Sequence, residues 1–197
     1  MNSVNFTLQH LHSLRPRVSN VLEGKSVCLR GFELADASKI LEHFNDIEIR
    51  RFMDMPAPHS QEQEEQWIRN TWDARKIGRC HYYAIEHKQS TQLIGGCGLF
   101  SIEKINRRGE LMIILYNKEY WGQGFGTEAL QLLLQFGFKH INLKTIYLYT
   151  HDTNKRAQRV YEKLGFKPGG RRRQASYFEG TYHDLLYYDL LASEFLD

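Results

Sequence analysis

The chain is short of cysteine, of long apolar runs and of charge excess, and each shortage excludes something. Its 197 residues hold three cysteines, Cys28, Cys80 and Cys97. The count is odd, the spacing is wide and no C-x-x-C occurs, which argues against a disulfide framework or a zinc site and for a reducing compartment. No stretch approaches the roughly 20 apolar residues that span a bilayer. The opening MNSVNFTLQHLHSLRPRVSN lacks the continuous apolar segment and small-residue cleavage site of a secretory signal. A cytoplasmic protein with no membrane partner is therefore expected. Lys and Arg number 26 against 23 Asp and Glu, a formal net charge of +3, too small to indicate nucleic acid. The nine histidines are scattered without ligand spacing, so no metal is expected. What is present, 42% hydrophobic and 25% charged residues, is ordinary globular composition in a chain long enough to bury a real core.

Residues 1–23 are polar, carry Pro16 and read as an N-terminal extension, with Leu11, Leu14 and Val18 spaced for one amphipathic turn. A single domain is expected over 24–197. Ser26–Phe32 has the alternation of a first strand. A helix starts near Asp36, with Ile40, Leu41 and Phe44 at helical spacing. Residues 54–59 carry two prolines and form a loop. Ser60 and Gln63 have the form of a capping box ahead of a helix through Trp67, Ile68 and Trp72 to about Ile77. Cys80–Glu86 and Gln92–Phe100 read as strands joined near Lys88–Thr91, with Gly95, Gly96 and Gly98 marking a bend or a close backbone approach. Glu110–Tyr116 is apolar on both faces, as a central strand is. A helix follows over about Thr127–Lys139, then a strand at Thr145–Thr150. Next come a helix at Asn154–Leu164, stopped by Gly165, and a hairpin of Gln174–Phe178 with Asp184–Leu191 around Glu179 and Gly180. The order gives a mixed α/β or α+β sheet.

Between the central strand and the long apolar helix stands Trp121-Gly122-Gln123-Gly124-Phe125-Gly126-Thr127. Alternating glycines let a backbone turn tightly and approach a ligand closely. The first amides of the helix that follows have no internal partner and carry the positive end of its dipole, which suits a diphosphate. A Walker A loop needs a lysine after its last glycine, but Gly126 is followed directly by Thr127. The dinucleotide pattern G-x-G-x-x-G meets Thr127 at its third glycine. A plain tight turn remains the other reading of this segment alone.

In context, the loop resembles the cofactor motif [RQ]-x-x-G-x-[GA] of the GNAT acetyltransferase superfamily at Gly124 and Gly126, with Trp121 in place of the Arg or Gln. A second segment, Asn154-Lys155-Arg156-Ala157 followed by Tyr161-Glu162-Lys163-Leu164-Gly165-Phe166, resembles that family's N-x-x-A-x-x-x-Y-x-K-x-G-F. The likeness runs from about Lys25 to the end. It is nearest the branch with spermidine and ribosomal-protein N-acetyltransferases through Ile105–Glu110, Tyr147–Tyr149 and Gly180–Asp184.

The resemblance implies an α+β fold: a mostly antiparallel sheet, splayed between its fourth and fifth strands and flanked by helices. It implies acetyl-CoA as donor and a primary amine, on a protein N-terminus or a small molecule, as acceptor, attacked directly in a ternary complex. It puts the cofactor on Gly122, Gln123, Gly124, Phe125, Gly126 and Thr127, on the main chain of Ile114, Leu115 and Tyr116, and on Asn154, Arg156 and Lys163. It gives Tyr161 the role of general acid and Glu110 that of general base acting through water. Each residue also has a plainer reading. Tyr161 is core on its helix's apolar stripe, Glu110 is a surface partner of Arg107 or Arg108, Arg156 and Lys163 are a solvated face, and Trp121 is packing. Asp36, Glu48, Asp54, Glu62, Glu64 and Glu65 fall in the region of the family's acceptor wall, with Phe52, Met53, Met55, Trp67 and Trp72 as apolar neighbours. Arg50 and Arg51, where the spermidine enzymes carry acids, argue against a polyamine. The basic run Arg171–Arg173, near Tyr177 and Phe178, reads as a solvated stretch of the hairpin in preference to an RNA contact. The contrasting hypothesis is a non-catalytic acyl-CoA-binding or RNA-associated module. Self-association through edge strands stays open.

Overall fold

Seven strands form one sheet, and a computed structural model of the chain describes residues 22–53 and 57–195. The residues 1–21 of the expected extension, together with Asp54 and Met55, lie outside these. Leu22 and Glu23, assigned above to the extension, belong to the domain. Leu22 is buried in the core and its carbonyl accepts from the Leu29 amide, while Glu23 pairs with Lys88 at 2.8 Å.

The strands are β1 (Val27–Arg30), β2 (His81–His87), β3 (Gln92–Glu103), β4 (Arg108–Leu115), β5 (Thr145–His151), β6 (Lys167–Phe178) and β7 (Thr181–Leu191). Their spatial order is β1-β2-β3-β4-β5-β7-β6. Every pairing is antiparallel except β4 with β5. That parallel pair is connected through helix α4 (Phe125–Gln135), as a parallel crossover requires. The other helices are α1 (Asp36–Phe44), the single turn α2 (Ile47–Arg50), α3 (Gln61–Lys76) and α5 (Lys155–Lys163).

Local chemistry explains most boundaries. The Ser60 hydroxyl accepts the Gln63 amide and the Gln63 side chain accepts the Ser60 amide, so the capping box opens α3 as read. Gly165 takes φ +93 after α5, where the Phe166 amide returns to the Tyr161 carbonyl. The helix expected over Thr127–Lys139 begins two residues earlier and ends as a π turn, Phe136–His140. Its Ala129, Leu130, Leu133 and Leu134 are fully buried against the sheet, joined there by Ile94, Leu99, Ile146, Leu148 and Leu190. The strand expected at Gln174–Phe178 starts seven residues sooner. Pro168 and two glycines disguise it in the sequence. They are tolerated because β6 is an edge strand with register breaks at Pro168/Gly170 and Arg172/Ser176.

The central strand's two apolar faces meet different surroundings. Leu111, Ile113 and Leu115 turn to the main core under α4, whereas Ile114 and Tyr116 belong to a second cluster with Phe32, Ile40, Phe44 and Ile68. Two apolar faces here serve two separate apolar compartments, and part of the second one is open.

Candidate active site

The parallel pair stops early. β4 and β5 match only at Arg108/Thr145, Gly109/Ile146 and Glu110/Tyr147, and from Leu111 onward the two strands part. Main-chain direction can be followed along the freed edge. The Tyr116 amide donates to the Ile94 carbonyl on β3 at 2.9 Å, while the Leu115 carbonyl accepts the Trp121 indole N–H at 3.1 Å on the other side. A strand residue's N–H and C=O point the same way, and neighbours alternate. The amides of Leu115 and Ile113 therefore face the gap, and those of Ile114 and Tyr116 face β3. This corrects the expectation that all of Ile114–Tyr116 offer free amides; Tyr116's is engaged.

The glycine loop closes one end of the gap. Gly122 and Gly124 have φ of +74 and +91, a left-handed backbone that side chains disfavour, although a Cβ on either would meet nothing within 4 Å. Conformation, not crowding, requires glycine there. Gly124 is the N-terminal cap of α4 with no side-chain cap, and the first amide taken within the helix is that of Glu128, by the Gly124 carbonyl. The amides of Phe125, Gly126 and Thr127 thus point outward without intrahelical partners. The Gln123 side chain donates to the Glu119 carbonyl, so it braces the loop.

Helix α5 forms the opposite wall. Asn154 caps it, its Oδ1 accepting the Ala157 amide at 3.2 Å. The Arg156 guanidinium lies 3.6 Å from the centroid of the Trp121 ring. Burial holds Arg156 below the ordinary guanidinium value, with Glu48 opposing, yet it stays a cation at any accessible pH. Trp121, placed by sequence as packing, thus joins β4, the loop and α5. Arg156, Arg159 and Lys163 all line the gap. Arg159 had no signal of its own in the sequence; it lies three residues after Arg156 on one helix face.

The gap is a cleft of about 640 Å³. Tyr161 and Glu110 both line it. Tyr161 is 7% exposed, packs against Phe166 and Tyr188, and burial pushes its hydroxyl up to about 12. That hydroxyl makes no hydrogen bond among the described residues. Glu110 is half-buried, and burial raises its carboxyl above the usual range. Its expected surface partners are engaged elsewhere, Arg108 with Glu103 and Arg107 with Asn142.

The acidic residues expected along the acceptor wall separate. Asp36 is 2% exposed and locked to Arg30, so it serves the fold. Glu48 lines the cleft but pairs with Lys118. Glu62 is exposed and Glu65 pairs with Arg69. Among the described ones, only Glu64 reaches a second cavity, of about 170 Å³. The two cavities share Met53, Met112 and Ile114 as wall. Trp67 lines the second, whereas the Trp72 indole reaches the Phe32 carbonyl away from both.

Comparison with known proteins agrees with this architecture. The family model described as the acetyltransferase (GNAT) domain matches residues 26–167. An uncharacterized N-acetyltransferase, p20, of Bacillus licheniformis is 28% identical over 167 residues, 85% of this chain and 93% of its own length. A crystal structure of the Vibrio cholerae spermidine N-acetyltransferase, in complex with CoA and spermine, superposes with a TM-score of 0.79 at 25% identity, covering 88% of this chain and all of that one. The ribosomal-protein-S5-alanine acetyltransferase of Vibrio fischeri shares the fold, with a TM-score of 0.79 at 20% identity over 89% of this chain and 98% of its own.

Proposed function

The chain belongs to the GNAT acetyltransferase family, whose members use acetyl-CoA, and from that premise we propose that it transfers an acetyl group to a primary amine bound across the β4 face, by direct attack in a ternary complex. The observation that carries the reading is the splay between β4 and β5 with the free amides of α4 at its mouth. The donor set fits coenzyme A. The amides of Phe125, Gly126 and Thr127, with the turn at Gly122–Gly124, receive a diphosphate without a lysine. Arg156, Arg159 and Lys163 add positive charge beside it. The open edge of β4 at Leu115 and Ile113 offers amides to a pantetheine arm, and Asn154 stands at the same wall. Bound there, acetyl-CoA supplies an activated acetyl group.

The chain's own groups divide the remaining work. An amine attacks only when neutral, so its proton must leave. Glu110, without an ion-pair partner among the described residues and held by burial at a raised pKa, takes that proton through a water. A main-chain amide of the β4 edge stabilises negative charge on the acyl oxygen, and it is fixed in place before reaction. Tyr161 donates a hydrogen bond to the departing sulfur.

Three measurements test this. Calorimetry with coenzyme A is expected to show micromolar binding, weakened at least about tenfold in Gly124→Val because a β-branched residue strains the left-handed cap. Thiol release from acetyl-CoA with a panel of primary amines is expected to show turnover; binding with none would leave only an acyl-CoA-binding module. Glu110→Gln is expected to lower kcat/KM roughly tenfold and to abolish the acidic limb of the pH–rate profile. The sign follows from the raised carboxyl value: the base is lost as pH falls through it, a higher pH than for an exposed glutamate. A limb that survives the substitution removes Glu110 from the mechanism.

A further inference from the structure

The second cavity is a box of aromatic rings. Phe32 meets Trp67 edge-on at 5.2 Å between centroids, Trp67 meets Tyr82 at 5.8 Å, and Phe44 meets Tyr116 at 6.1 Å. Its floor is kept open by Gly96, where a Cβ would stand 2.8 Å from the Tyr116 hydroxyl and 3.0 Å from Phe32 Cζ. His59 and Glu64 reach this box, joined at 3.1 Å between Nδ1 and Oε2, beside Tyr82, Tyr116 and Cys97.

Glu64 is 4% exposed and Tyr116 is also 4% exposed. The second carboxylate oxygen of Glu64 and the Tyr116 hydroxyl make no hydrogen bond among the described residues, yet both side chains line the cavity. Those two groups are therefore able to exchange hydrogen bonds with an occupant of the cavity.

The route in is along one face of β4. Glu110, Met112, Ile114 and Tyr116 alternate onto the same side. Glu110 lies in the cleft, Met112 and Ile114 wall both cavities, and Tyr116 lies in the second. Glu110 to Ile114 spans roughly 13 Å of strand, the reach of an amine with a ring on a short linker.

Size and donor count choose the occupant. A dry cavity of about 150 Å³ accepts a benzene ring, and this one measures about 170 Å³. A linear alkylammonium fills less of this volume than a ring does and loses its hydration on entering. A neutral ring with one O–H donor fills the space and meets the acceptor that Glu64 places in its wall. We propose that this box is the acceptor's side-chain pocket and that it selects a primary amine whose short linker ends in a phenol, the phenolic O–H donating to Glu64. This rests on the amine-acetylation reading of the cleft and names its substrate class.

The test compares tyramine, phenethylamine and 1,5-diaminopentane, by calorimetry against the protein–CoA complex and by thiol release from acetyl-CoA. Tyramine is expected to bind at least about tenfold more tightly than phenethylamine, since one charge-assisted hydrogen bond is worth that much, and to exceed the diamine. In Glu64→Gln, with CoA affinity kept as a check on folding, the preference is expected to fall to within about twofold. Equal binding of tyramine and phenethylamine, a preferred diamine, or a preference that persists in Glu64→Gln overturns the proposal. Tight tyramine binding without thiol release sinks the acetylation reading instead and leaves the pocket standing.

Discussion

Tyr161→Phe is expected to lower kcat by about 10²-fold while the affinity for coenzyme A stays within twofold of the parent. The Tyr161 side chain is buried against Phe166 and Tyr188 and lines the cleft, and none of the described residues takes its hydroxyl proton. Burial pushes it up to about 12, so it is a phenol, a donor, at every pH at which the protein is assayed. A thiol near 8.5 is the stronger acid, so complete proton transfer from Tyr161 to the leaving sulfur is uphill by roughly 5 kcal/mol. In the proposed mechanism the useful part of the interaction is therefore a hydrogen bond that strengthens as charge builds on sulfur, with net proton return coming from the amine side. The loss of a bond made in the transition state and not in the ground state would fall on kcat and spare binding. Two consequences follow. The rate shows no alkaline limb from Tyr161 below about pH 11, since nothing there titrates sooner. The phenylalanine variant keeps its stability, because removing an unpartnered buried hydroxyl leaves no group unsatisfied. Unchanged turnover would return Tyr161 to the core residues its helical stripe alone suggests.

The parts of the fold legible in the sequence are those written in local chemistry. Ser60 with Gln63, the stripe Ala129–Leu134, the glycines of the loop and Gly165 each announce their element because neighbours along the chain create the signal. What was illegible depends on residues far apart. No pattern around Arg108–Leu115 says that β5 leaves it after three pairs, or which of its amides then face the gap. Trp121 shows the same limit. Its place in the loop departs from the family's arginine or glutamine, and only the folded chain shows its indole N–H on the Leu115 carbonyl and its ring under Arg156. Glu64 is one of six acids in its region by sequence, and nothing in EQEEQW tells which turns inward. Helical phase gives Ile68 and Thr71, three residues apart along α3, as buried partners, and Glu64 falls four before Ile68 on that face. The phase was readable; that a carboxylate would occupy it was not, because the reason lies in His59 and in the cavity beyond.

Arg30→Ala is expected to cost about 3–5 kcal/mol of stability, roughly 10–15 °C in Tm for a domain of this size. Arg30 on β1 binds Asp36 through both terminal nitrogens, at 2.7 and 2.9 Å, and Glu86 on β2 through Nε at 2.7 Å. It thereby ties the start of α1 to the sheet edge, and α1 carries Phe44, a wall of the second cavity. Burial pushes the Asp36 carboxyl up, but the bonds from Arg30 and from the Glu33 amide outweigh it, and the net value lies below the ordinary one. The sign of the pH dependence follows. In the parent, Asp36 contributes fully above the unfolded value near 4 and loses its contribution only as pH falls through the lower folded value. Without Arg30, burial, the largest influence on this carboxyl, is opposed only by the Glu33 amide and Lys39; the folded value is then expected to rise above the unfolded one, and ionised Asp36 becomes a liability that protonation relieves. The stability gap between parent and variant should therefore narrow as pH falls from 7 towards 4. Denaturant titration at several pH values measures it. A gap of constant width would mean that the loss is one of packing around the Arg30 stem, with the ion pair contributing nothing.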